Sequence, residues 1–145
     1  MNGLKLLGHP LHPAIVHFPV AGWTAALVTD ALFVALRDQT WQQISLWLLV
    51  VGTVAGLGAM TAGFIDLVSL PSGQAAQKAA LRHMYVMSLA WTVYAIDLLV
   101  HFLTVPSWTG LVLSLVGFVT LLVGTHLGAH LVYDLGVGSS PSRAS

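Results

Sequence analysis

The sequence predicts an all-α integral membrane protein, an up-down bundle of four transmembrane helices, and three observations lead there. Of its 145 residues 57% are hydrophobic and 7% are charged, with a mean hydropathy of +0.85, whereas an ordinary soluble domain carries roughly 25% charged residues. Four segments, residues 14–36, 44–70, 79–104 and 108–135, meet the length of about 20 mostly apolar residues that a membrane-spanning helix needs. The breaks between them are short and hold turn or cap residues, so neighbouring spans must run antiparallel. Residues 1–138 then form a single transmembrane domain, and the Ser- and Pro-bearing stretch 139–145 is expected to be a disordered tail.

The first span follows His9-Pro10-Leu11-His12-Pro13, where Pro13 suits a first helical position and the two histidines read as a structural turn leading into the helix. Two histidines and two prolines come before any long apolar run, and no small-residue cleavage site follows one. The first hydrophobic stretch is therefore expected to stay in the mature protein. Arg37-Asp38-Gln39-Thr40 ends this span, and the second carries Gly52, Gly56, Ala59 and Gly63 on one stripe. Small residues of this kind let helices approach closely in lipid. After Pro71-Ser72-Gly73-Gln74 the third span places His83, Met87, Ala90, Tyr94, Asp97 and His101 within about 40° of a common line at 100° per residue, which marks a polar interior stripe. Val105-Pro106-Ser107 leads to the fourth span, where Gly110, Gly117 and Gly124 repeat. The five tryptophans, Trp23, Trp41, Trp47, Trp91 and Trp108, read mostly as interfacial belt residues.

Lys5, Lys78, Arg82 and Arg143 fall on the side that holds both termini, and only Arg37 falls on the other. The excess of cations in short loops marks the cytoplasmic side, so both termini are expected to be cytoplasmic. Five Lys and Arg balance five Asp and Glu, which leaves no basic field for nucleic acid. The lack of cysteine excludes disulfides, thiolate metal sites, iron–sulfur clusters and covalently attached haem.

Seven histidines in so apolar a chain require a cause. The topology sends six of the seven to the terminal side. At about 1.5 Å rise per residue, His17, His83 and His130 lie at similar depths of roughly 6 Å, with His126 one turn deeper and Asp66 nearby. His126 and His130 have the i, i+4 spacing that can put two imidazoles on one ligand. Ionisable groups in a membrane are costly, face the bundle interior and mark function. His17, His83, His126 and His130 are thus the candidate ligands, with Asp66 added for a metal and Arg82, Lys78 and Tyr133 beside them. Asp30, Asp97 and His101 lie toward the other side and are expected to form an interior hydrogen-bonded cluster.

His9-Pro10-Leu11-His12-Pro13, followed by Val16-His17-Phe18-Pro19, together with Gly63 and Asp66, His83, and Gly128 through Leu131-Val132-Tyr133 to Gly136-Val137-Gly138, resembles domain-of-unknown-function family 2231. The resemblance covers nearly the whole chain. It implies a four-helix membrane protein of the bacterial inner membrane, and the sequence departs from the family pattern at His130. Some members look to be joined to Rieske-type ferredoxin domains, which implies redox chemistry by association.

Three functions remain open. In the first, b-type haem is held by histidines of different helices, and the chain exchanges electrons with a quinone or a redox-protein partner. In the second, His17, His83, His126, His130 and Asp66 bind copper, zinc or non-haem iron. In the third, the chain is a non-catalytic scaffold of a larger respiratory or photosynthetic membrane complex, or a homo-oligomer within the lipid bilayer. No nucleophile elbow, Ser-His-Asp pattern or phosphate loop is present, so a stand-alone enzyme is not expected.

Overall fold

The computed structural model describes residues 5–6, 9–71, 73–104 and 108–137. The expected tail at 139–145 lies outside the described residues. A short antiparallel pairing of β1 (Lys5–Leu6) with β2 (His9–Pro10) precedes the helices. These are α1 (Leu11–Ile15), α2 (His17–Leu36), α3 (Gln39–Val68), α4 (Ala75–Leu103) and α5 (Trp108–Tyr133). With α1 and α2 counted as one, four helices are long and apolar enough to cross a membrane. Helix α2 packs on α3 and α4 on α5, while α3 with α4 and α2 with α5 complete the ring.

The first span begins at Leu11 rather than near Ala14, and Pro13 sits inside the short helix α1 instead of starting it. First-turn N–H groups have no intrahelical acceptor, so proline is tolerated there. The break at Val16 comes from the next proline. Pro19 has no N–H for the Ile15 carbonyl and its ring crowds that group, so the helix is interrupted between Ile15 and His17.

Arg37 ends α2 in the left-handed region with φ 57°, and its N–H donates to the Phe33 carbonyl at 2.9 Å. Asp38 then caps α3, its carboxylate accepting from the Thr40 N–H at 2.9 Å. The backbone and side chain of Thr40 hold the Asp38 carboxyl below its ordinary range. Because the folded value is the lower one, the contribution of the cap is present at neutral pH and is lost as pH falls through that depressed value. An NMR titration of the Asp38 carboxyl is expected to give a midpoint below that of a Thr40→Ala variant, which keeps the backbone bond and loses the hydroxyl, and equal midpoints would remove the side-chain contribution.

The centre of the bundle is a plug of Trp23, Ala26, Leu49, Tyr94 and Leu121. Trp23 and Tyr94 stack with centroids 4.5 Å apart and planes 7° from parallel. Trp23, expected in the interfacial belt, is 1% exposed. Its position is made by α3, because a Cβ on Gly52 would lie 2.6 Å from the indole, and one on Gly56 2.9 Å from it. Gly117 likewise seats Tyr94, where a Cβ would meet the ring at 2.8 Å. Most of the glycine stripe thus receives aromatic side chains. Gly22, against Leu48 and Gly52, brings backbones together as the small-residue pattern first suggests. The plug divides the interior into a cavity on the side of the termini and a polar cluster on the other.

Candidate functional site

The cavity has a volume of about 440 Å³, within the roughly 300–1,000 Å³ typical of cofactor pockets. Trp23 forms its inner end, and His12, Met60, Asp66, His83 and Met87 are among its walls. Helix α5 ends beside it. Gly136, at φ 66°, turns the chain so that the Val137 N–H bonds back to the Leu131 carbonyl at 2.9 Å. Val137 then packs with Leu67, Leu70, Ala80 and Leu131 at the cavity's outer end.

His83 and His12 are held in the same manner from different helices. The Nδ1 of His83 lies 2.9 Å from the Gly124 carbonyl, and that of His12 lies 2.7 Å from the Ala59 carbonyl. A carbonyl only accepts, so in each ring Nδ1 carries the hydrogen and donates. In the neutral ring the lone pair is then on Nε2. This is how a ligating histidine is oriented, with its second nitrogen fixed by a carbonyl. Glycines seat both rings, since a Cβ on Gly63 would lie 3.0 Å from His12, and one on Gly128 3.0 Å from His83. The ring centroids are 6.4 Å apart, with planes at 85°.

Of the residues expected here, His83, Asp66 and Tyr133 line the cavity, although Tyr133 is 84% exposed. Arg82 and Lys78 are exposed near the same end of α4. The expected convergence of His17, His126 and His130 with His83 is corrected, because all three are exposed. The reason is azimuth. Gly124, Gly128 and Leu131 mark the inner face of α5, and His126, two residues beyond Gly124, is turned by about 200°. His130 bonds Asp134 Oδ2, one residue past the end of α5, at 2.6 Å. His17 opens onto an outer groove with Ala21, Thr24 and Val28. His12, expected only to shape the turn, takes their place. The strand residue His9 is described in its backbone alone.

Beyond the plug, Asp30, Ser45, Asp97, His101 and Ser114 are buried together. His101 Nε2 lies 3.1 Å from Asp30 Oδ1, and its Nδ1–H donates to the Asp97 carbonyl at 3.0 Å. Ser114 Oγ lies 2.8 Å from Asp97 Oδ2 and also bonds Asp30 Oδ2. Ser45 donates to Asp30 Oδ1. The expected interior cluster of Asp30, Asp97 and His101 is therefore present, and two serines join it. Ser114 falls on the i, i+4, i+7 stripe of Gly110 and Gly117, a signal that points it inward, whereas no such spacing singles out Ser45.

A family model described as "Predicted membrane protein (DUF2231)" matches residues 8–141. No curated protein and no solved structure matches the chain.

Proposed function

The chain belongs to the DUF2231 family of predicted membrane proteins, and from that premise we propose that it is a membrane redox protein holding b-type haem between His12 and His83. The observation that carries this reading is the imidazole pair itself. Two rings from different helices, each tied through Nδ1–H to a carbonyl, face an apolar cavity with centroids 6.4 Å apart. His12 and His83 would hold the metal through Nε2, the nitrogen that each carbonyl leaves with its lone pair free. Gly63 and Gly128 let each imidazole lie directly against the neighbouring helix, and Arg82 and Lys78 supply cations for propionates at the open end. Haem bound there would supply a one-electron carrier whose potential depends on its axial ligands and burial. His12 and His83 would act as ligands, the Ala59 and Gly124 carbonyls would fix their tautomers, and Val137 with Leu131 would restrict water. A quinone in the bilayer or a redox protein at this end would be the electron partner.

A second reading follows from the methionines. Met60, Met84 and Met87 line the same cavity, and thioethers with imidazoles select copper(I).

Absorption spectra of the detergent-purified protein, oxidised and dithionite-reduced, test the first reading beside metal analysis. A Soret band is expected that is lost in His83→Ala and in His12→Ala. A band that survives both substitutions would remove this ligand pair. Stoichiometric copper without a Soret band would establish the second reading.

A further inference from the structure

From the cluster beyond the plug we infer that Asp30, Asp97 and His101 form a second site, for a divalent metal ion of the Zn²⁺, Mn²⁺ or Fe²⁺ type, separate from the cavity. Each of the three offers a ligand atom, and these atoms all lie within 4.8 Å of one another. Asp97 is 0% and His101 3% exposed. Asp97 Oδ1 is, among the described residues, the one buried side-chain polar atom without a hydrogen bond, although it lies 3.3 Å from the His101 ring. A buried carboxylate oxygen left without a donor is costly, and a cation would satisfy it.

The histidine is oriented as a ligand. Its Nδ1–H is held by the Asp97 carbonyl, so Nε2 is the atom turned to Asp30. Carboxylates and one imidazole, with Ser45 and Ser114 behind them, are borderline to hard donors that suit zinc, manganese or iron(II) and serve copper(I) poorly.

Hydrogen counting gives the charge balance. Ser114 has one hydroxyl hydrogen but contacts both carboxyl groups, so one of these must carry a proton. A second proton lies between His101 Nε2 and Asp30 Oδ1. Two carboxylates, one imidazole and these two protons sum to zero charge. Binding a divalent ion to two carboxylates and a neutral imidazole releases both protons and leaves the sum at zero, as burial in a bilayer favours. His101 lies in the last turn of α4, which gives a short route for the ion from that face of the membrane.

The test uses chelator-treated full-length protein in detergent, titrated with Zn²⁺ by calorimetry in buffers of different ionisation enthalpy, and with Co²⁺ by visible absorption. One equivalent of Zn²⁺ is expected, with release of about two protons, and cobalt should develop ligand-field bands. Ser114→Ala is expected to weaken binding by roughly 10- to 100-fold, as loss of an outer partner does. Asp97→Asn and His101→Gln, whose folding is checked by circular dichroism, should weaken it further. The His12→Ala/His83→Ala double variant should bind as the wild type does, which separates this site from the cavity. No binding by the wild type, undiminished binding by a folded Asp97→Asn protein, or loss of binding in the double variant alone would each overturn the inference.

Discussion

Asp30→Ala is expected to destabilise the metal-free protein by about 3–5 kcal/mol, as removal of one partner from a buried charged network does. Three groups use the Asp30 carboxylate: His101 through Nε2 at 3.1 Å, and the hydroxyls of Ser45 and Ser114. With alanine there, both serine hydroxyls lose this acceptor and His101 loses the carboxylate at its Nε2. The loss therefore exceeds the deletion of one neutral hydrogen bond, about 0.5–1.5 kcal/mol. Asp30→Asn, which retains an acceptor for one serine, should fall between the two. Unfolding of the detergent-solubilised proteins under a denaturant gradient measures the difference. If Asp30→Ala lies within about 1 kcal/mol of wild type, the cluster holds no charged pair.

Loop length ordered the helices, and rise per residue put His17, His83 and His130 at similar depths with His126 one turn deeper, whereas the His83 ring lies against Gly124 and Gly128, level with His126. Direction around each helix was a different matter, because in lipid an apolar residue is at home on every face. Phe64, Val119 and Leu122 are exposed on the outside of the bundle, so hydrophobic periodicity has no phase to report. Small and polar residues carry the phase instead. On α5, Gly110, Ser114, Gly117, Leu121, Gly124, Gly128 and Leu131 run along the inside, and referring His126 and His130 to that line turns both outward. The third span could be read correctly because its stripe contains Tyr94, Asp97 and His101, all buried. His12 was hard to read for another reason. Its partners, the Ala59 carbonyl and the bare surface of Gly63, lie on another helix and have no side-chain chemistry by which a sequence could reveal them.

A double-mutant cycle between Trp23 and Gly52 should show that the glycine stripe exists to hold a ring. Trp23→Ala alone is expected to cost about 3–5 kcal/mol, the usual loss when a buried indole leaves a void. Gly52→Ala alone should cost about 1–3 kcal/mol, because the added methyl meets a packed ring that has nowhere to move. Its Cβ would lie 2.6 Å from Trp23 Cδ1 and 2.8 Å from Nε1. Escape is blocked on the far side, where Tyr94 stacks on the indole at 4.5 Å. In the Trp23→Ala background the same methyl enters empty space, so Gly52→Ala should there be neutral or stabilising, and the coupling should approach the whole cost of the single change. Additive losses would mean instead that Gly52 is needed for backbone approach to Gly22, which the cycle leaves intact. The indole also forms the inner end of the cavity. Its removal should therefore join the cavity to the polar cluster and admit water to both, weakening any apolar ligand between His12 and His83, whereas Gly52→Ala with Trp23 present should spare it.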